Sequence, residues 1–425
     1  MKRLASFIAA LALIVPAAWT QTPPPGDPPK PNVNQDPVTP KLDADSKATL
    51  LREIEDILSK RAFTPGVDFK KWPEFMTKRK EALDKAETPE EFSREINNAL
   101  REFKVSHVRF MVPRQAQQRV NPTASGLGLG TAKDEKGLKV TNILPNSPAA
   151  KSGIKVGELI VEAAGKPATE PDQLRVDVGA SLKVKVQATD GTTREVELTA
   201  GTFSAIRENT VKMIDEDAAV VRINSFTNGY KREDIEKLFE QAFPRKYLIL
   251  DLRNNGGGAV ANLRHLLNLL LPTDVPYGTM IRRDMVDEYA KEKGTASYDP
   301  LVIAEWAKNK YKTSRGKLTP YAGKIAVLIN RGSASASEIT ALALKEVAGA
   351  ILVGQPSRGA VLASIYQKCS FGYELQIPVS DYVSIKGFRP EGNPIPVDVT
   401  VEGRPEPGKP DPGIEAALQK LRGGS

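Results

Sequence analysis

The stretch NRGSASASEI, residues 330–339, follows the apolar run KIAVLI and leads into EITALALKEVAG, which has helical spacing. It sets three serines, separated by alanines, where a strand gives way to a helix. A serine at that turn has its hydroxyl beside the unbonded N–H groups of the first helical turn, and such donors can stabilise an oxyanion. Small neighbours let a carbonyl group approach. That pattern suits a nucleophile at Ser335, but a second reading needs no chemistry: Ser335 with Glu338 three residues later makes a capping box. DLRNNGGG, residues 251–258, places three glycines after another strand-like run. A glycine turn there can aim a backbone N–H into the same cleft.

A serine nucleophile needs a base, and the chain has two histidines. His265 lies in NLRHLLNLLL, an apolar helical stretch, where a half-buried structural histidine is expected. His107 follows Ser106 in KVSHVRF, at a junction between helical and strand-like spacing, where structural and catalytic readings both stand. Lysine is the other option. Lys345 falls on the helix after Ser335, and Lys368 in YQKCSFG has no apolar setting that would lower its pKa. The single cysteine, Cys369, leaves no intramolecular disulfide and no Cys–His metal site.

Elements must position these groups. The 425 residues, 40% of them hydrophobic, suffice for two or three domains. Sixty basic residues against 52 acidic ones, interspersed, give +8. No Lys/Arg cluster alternates with aromatics, so nucleic acid is not an expected partner. MKRLASFIAALALIVPAAWTQ has the basic start, short apolar core and small residues of an export signal, assigned to 1–20. Its apolar run is too short for a stable membrane span after cleavage. A proline-rich spacer covers 21–41. Residues 42–113 read as a helical unit, with Thr88, Pro89 and Glu91 as a start signal. From 124 to 201 short β-rich runs alternate with Gly, Asn and Asp turns, predicting five or six strands and two short helices. From 203 to 403 four continuous apolar runs, AAVVRINSF, KYLILDLR, KIAVLIN and AILVGQP, alternate with helical patterns. That is α/β texture, a sheet buried on both faces with ligands beyond its carboxyl ends. Residues 404–425 read as a C-terminal tail, and 272–317 as a segment placed to cover the cleft.

The loop Gly126–Leu127–Gly128–Leu129, NSPAAKSGIKVGELI and AAGKP together resemble a PDZ domain, with Glu158 where an aspartate is usual. The resemblance implies that this loop holds a terminal carboxylate while an edge strand pairs with the peptide. With DLRNNGGG and NRGSASASEI, the chain from about 42 to 403 resembles the C-terminal processing peptidases, or tail-specific proteases. That implies an α/β core related to the ClpP/crotonase-like fold, Ser335 as nucleophile, and an oxyanion hole from the N–H groups of Gly257 and Ala336. The best-known branch adds a lysine in a GKG turn, whereas this chain reads VGQPSRGAVLAS, with Ala360 in its place. The tricorn-like branch uses histidine, which implies His107 as base with Ser106 and with Glu391 of FRPEGNPIPVDV. The expected function is an exported serine endopeptidase, periplasmic or extracellular, acting on proteins with free C-termini and needing no metal or organic cofactor. The alternative is a catalytically silent member that binds peptides or apolar ligands.

Overall fold

The structure, a computed structural model, describes residues 42–403, 405 and 409–423. The expected export signal and proline-rich spacer lie outside the described residues. The four apolar runs become the centre of a six-stranded sheet. Ala218–Arg222, Tyr247–Asp251, Lys324–Ile329 and Ile351–Gly354 lie side by side in parallel, flanked by Thr210–Met213 and Val399–Thr400. Their continuous apolarity follows from burial on both faces. Leu248 and Leu250 pack among residues of the helices Arg232–Ala242, Val260–Leu270 and Ala336–Ala348. Tyr247 and Ile249, pointing the other way, meet Ala417 and Leu421 of the helix Pro412–Gly423. That helix corrects the reading of 404–425 as a tail. Its Ala417/Leu421 spacing is one short apolar stripe, too weak to stand out in sequence, yet burying Leu421 is worth about 2 kcal/mol.

A second sheet is antiparallel. Arg109–Met111, Glu374–Ser384, Pro276–Ile281 and Tyr311–Lys312 follow one another, and Ala363–Lys368 also pairs with Glu374–Ser384. The N-terminal helices close one face of it. Leu50, Ile54 and Leu58, four apart on the helix Ala44–Arg61, are fully buried with Phe92 and Ile96 against Phe110, Tyr373, Leu375 and Ile377. The helix Pro89–Leu100 starts as its sequence predicts: Thr88 Oγ1 accepts from Glu91 N at 3.2 Å, and Glu91 Oε2 accepts from Thr88 N at 3.2 Å. The segment 272–317 forms a strand of this sheet, two helices and a short edge strand, Tyr311–Lys312.

In chain order the β-rich insertion falls between the N-terminal helices and the parallel sheet. Leu129–Asp134, Gly137–Ile143, Leu159–Ala163, Ser181–Gln187 and Thr193–Thr199 form its sheet around Leu138, Val140, Ile160, Val184 and Val186. Leu129–Asp134 is at the edge of that sheet. Thr123–Gly126 pairs with Gly201–Ser204 where the insertion leaves and re-enters the rest of the chain.

Candidate active site

The alternating serines have different fates. Ser333 and Ser337 are fully buried: Ser333 Oγ donates to Leu252 O at 2.8 Å, and Ser337 Oγ to Asn255 O at 2.8 Å. Both staple the turn to the DLRNN segment after the neighbouring strand. Ser335, between them, is half-buried and faces a cavity of about 510 Å³. Its backbone is held at φ 55° and ψ −117°, a region sparsely populated by any residue with a Cβ and costing of order 1–3 kcal/mol. Surroundings enforce it. Ser335 N donates to Ala360 O at 2.8 Å and to Glu338 Oε2 at 3.0 Å.

Glu338 therefore does more than cap. Fully buried, it also accepts from Ser357 Oγ at 2.5 Å, Gly359 N at 2.7 Å and Ala360 N at 3.0 Å. Burial pushes its carboxyl above the usual range, and these hydrogen bonds oppose the shift. The residue ties the helix start to the 357–360 loop, where Ala360 stands in the lysine position. Neither alternative lysine lines the cavity. Lys345 Nζ donates to Asp398 Oδ1 at 2.6 Å on the outer side of the helix, and Lys368 is exposed at a strand end.

His107 lines the same cavity as Ser335. It sits at φ 57° just before the Arg109–Met111 strand. Its Nδ1 is 2.6 Å from Ser106 Oγ, and Ser106 Oγ donates to Glu391 Oε2 at 2.8 Å. Because the Ser106 proton goes to the carboxylate, Oγ must accept from His107 Nδ1–H. This fixes the tautomer and leaves Nε2 as an unprotonated acceptor. Glu391 is itself held: Ser106 N donates to Oε1 at 2.8 Å and Val361 N to Oε2 at 3.0 Å. Two residues earlier, Arg389 pairs with the buried Asp381 at 2.7 Å. Desolvation holds the His107 pKa below its usual 6.5, with Arg358 adding to that shift and Glu391 opposing it. No hydrogen bond joins His107 to Ser335 among the described residues.

Gly257 is where the sequence requires glycine. Its φ is 93°, and a Cβ there would lie 2.7 Å from that of Ser335. Its N–H, however, donates to Asn255 Oδ1 at 2.9 Å. This corrects the expectation that Gly257 supplies a free oxyanion donor: the Asn255 side chain folds back over its own turn and its Oδ1 accepts that hydrogen bond. The N–H groups of Ala336, at the first helical position, and of Gly258 line the cavity without such a partner among the described residues. Leu263, Met280, Ile339, Val361 and Leu362 supply apolar walls. A larger cavity of about 700 Å³ lies beyond the 330–332 turn, against Arg253 and Gly332, and contains none of the expected site residues.

His265 is elsewhere and closed. Its Nδ1 is 3.0 Å from Tyr230 Oη, and its Nε2 is 3.1 Å from Glu236 Oε1. In the insertion, the carbonyls of Leu127 and Gly128 accept from Ala149 N at 3.0 Å and Leu144 N at 2.9 Å. Leu127 is buried in that core, and a Cβ at Gly128 would collide with Ser147 at 2.1 Å. The helical element nearest the edge strand is one 3₁₀ turn, Pro171–Leu174. Sequence reasoning did not find Asn255, Ser333 or Ser337 as the groups that shape the site. The alternation S-A-S-A-S was the available signal for the two serines.

A parallel sheet covered on both faces, with a serine at a strained strand-to-helix turn and a histidine–serine–glutamate chain beside it, defines a hydrolase-type α/β site. Residues 217–401 match the model for peptidase family S41, and residues 117–200 match the model for PDZ domains. The core is thus similar to peptidase family S41 and the insertion to PDZ domains. It is 25% identical over 326 residues to the tail-specific protease of Haemophilus influenzae, covering 71% of this chain and 42% of that one. It is 28% identical over 282 residues to the chloroplastic carboxyl-terminal-processing peptidase 3 of Arabidopsis thaliana, covering 58% and 47%. The chain thus spans less than half the length of either relative. The crystal structure of the tricorn protease shares the fold, with a TM-score of 0.56 at 17% identity over 88% of this chain and 37% of that one. No helix among the described residues is long and apolar enough to cross a membrane.

Proposed function

We propose that the chain is a serine endopeptidase that uses histidine rather than lysine as its base. The observation that carries this reading is the path from His107 Nδ1 through Ser106 Oγ to Glu391, which leaves Nε2 basic in the cavity that Ser335 enters. Ser335 Oγ attacks the peptide carbonyl while His107 Nε2 takes its proton. The oxyanion forms against the N–H of Ala336 and of Gly258. As the C–N bond breaks, His107 returns the proton to the leaving amine, and water then hydrolyses the acyl-enzyme by the same steps. Ser106 and Glu391 hold the imidazole in its tautomer and stabilise its charge.

Two finer statements belong to the same reading. The PDZ domain recruits free C-termini through the N–H groups of Leu127 and Gly128, beside the edge strand Leu129–Asp134. The N-terminal 20 residues direct export to the periplasm or the extracellular space. A silent, ligand-binding member is the second reading, and Ala360 is what favours it. Ser335→Ala should abolish both peptide cleavage and labelling by a fluorophosphonate probe, while its circular dichroism stays that of the parent. Cleavage surviving in the pure variant sinks the nucleophile assignment, and a parent that neither cleaves nor labels establishes the silent reading. Intact mass of the secreted protein tests export.

A further inference from the structure

The structure assigns a second binding site, a basic groove that receives acidic residues of a polypeptide whose scissile bond lies in the Ser335 cavity; it rests on the peptidase reading. Arg94 and Asn97 on the helix Pro89–Leu100, Arg101 just after it, and Val108 and Arg109 border a cavity of about 360 Å³. Positions 94, 97 and 101 fall on one helical stripe. The sheet register links the groove to the face that borders the catalytic cavity. Arg109 stands directly opposite Gln376, which stands directly opposite Tyr366, and directly opposed residues share a face. Gln376 and Tyr366 line the catalytic cavity. Phe110 and Leu375, on the other face, are buried under the helices.

Charge balance favours an anionic occupant. Arg109 is exposed, and its guanidinium has no hydrogen bond or ion pair among the described residues. Arg101 donates to the neutral Asn98 Oδ1. Arg94 lies 3.6 Å from Glu95, which Arg79 shares at 3.5 Å, and its charge also acts on Glu91 one turn earlier. At the cleft end Arg119 is neutralised by Glu374 at 2.8 Å and lies over Tyr366, while the exposed Arg358 near His107 adds positive charge there too.

The mode of recognition follows from Asn97. It bonds both Phe110 N and Phe110 O at 2.8 Å, which saturates the outer edge of the Arg109–Met111 strand. A peptide cannot add a strand there, so its side-chain carboxylates must make the contacts, which guanidinium groups suit by geometry. No aromatic lines the groove to stack a base.

The test uses full-length protein carrying Ser335→Ala and two fluorescent peptides identical except for an Asp/Glu triplet replaced by Asn/Gln. Anisotropy should show the acidic peptide binding on the order of ten-fold tighter, with the advantage shrinking as salt rises. Arg94→Gln, Arg101→Gln and Arg109→Gln together should erase the difference, and Lys at the same three positions should retain part of it. Equal affinities in the parent, or an advantage that survives the triple Gln change, overturn the groove. Anionic vesicles or single-stranded oligonucleotides that bind more tightly through the same arginines overturn the polypeptide assignment. Binding is read without turnover, so acidic-peptide binding by a chain whose Ser335 form never cleaves would fail the peptidase reading and leave the groove standing.

Discussion

The two histidines occupy opposite kinds of surroundings. His265 has both ring nitrogens engaged, by Tyr230 and Glu236, between two helices. His107 has one nitrogen committed to Ser106 and the other opening on a cavity, on backbone held at positive φ. A general base needs that asymmetry. One nitrogen must be fixed so that the tautomer is defined, and the other must stay unpaired until substrate arrives. A fully satisfied histidine contributes rigidity and can do little else.

Exchanging the two sites gives the largest expected effect. His107→Ala should lower kcat/KM by roughly 10³-fold, within the range for loss of a general base, whereas His265→Ala should leave the rate per folded molecule unchanged. It should instead cost about 1–3 kcal/mol in denaturant unfolding, because the Tyr230 hydroxyl loses its partner in a buried setting. The reverse pattern would end the assignment of His107. A sharper probe is Ser106→Ala, which takes away the acceptor for Nδ1–H and breaks the link to Glu391. Activity should drop by about one to two orders of magnitude. Glu391→Gln, which removes the charge that raises the His107 pKa, should move the acid limb of the pH–rate profile to lower pH; a limb left in place would make Glu391 merely structural.

The unmodified protein supplies a third check. With the folded pKa of His107 lowered below 6.5, the base is neutral at pH 7, so activity should be level near neutrality and be lost only as pH falls below about 6.5. Stability has the same sign. The unfolded chain binds the proton more readily, so the His107 contribution is complete above about 6.5 and is lost as pH falls through the folded value. A rate already lost as pH falls through about 9 to 8 would instead point to a lysine base, which must be neutral to act. The smallest effect is expected at the PDZ loop, where one 3₁₀ turn stands near the edge strand. Amidating a substrate's C-terminus should raise KM by up to about ten-fold with kcat unchanged; identical KM values would reduce the domain to a structural role.

Much of this architecture was readable from periodicity. The four apolar runs became parallel strands, and the capping signals at Thr88 and Glu338 mark real helix starts. Ser335 stands out by its strand-to-helix turn and His107 as one of two histidines, but Ser106, Glu391 and their combination come by resemblance, since no local pattern joins residues so far apart in the chain. What stayed hidden is long-range or conformational. Asn255 capping Gly257 depends on one side-chain torsion. The eleven-residue strand Glu374–Ser384 mixes buried and partly buried positions irregularly, so neither a helical nor a two-residue period stands out. Nor could composition reveal that Arg94, Arg101 and Arg109 converge, because a helix and a strand bring them together.

The strand Arg109–Met111 has a consequence for how the molecule matures. It carries the proposed base into place by pairing with a strand from the far end of the chain, and the Ser106–Glu391 contacts span 285 residues. Contacts of such separation carry a large loop-closure cost and form late in folding. A nascent chain therefore holds Ser335 before the strand that seats His107, the proposed base, has been made. Peeling that one short strand from a finished molecule would disarm it while the parallel sheet stayed intact. On the proposed reading the topology acts as a safety catch, since the nucleophile has no base until the two ends of the chain meet.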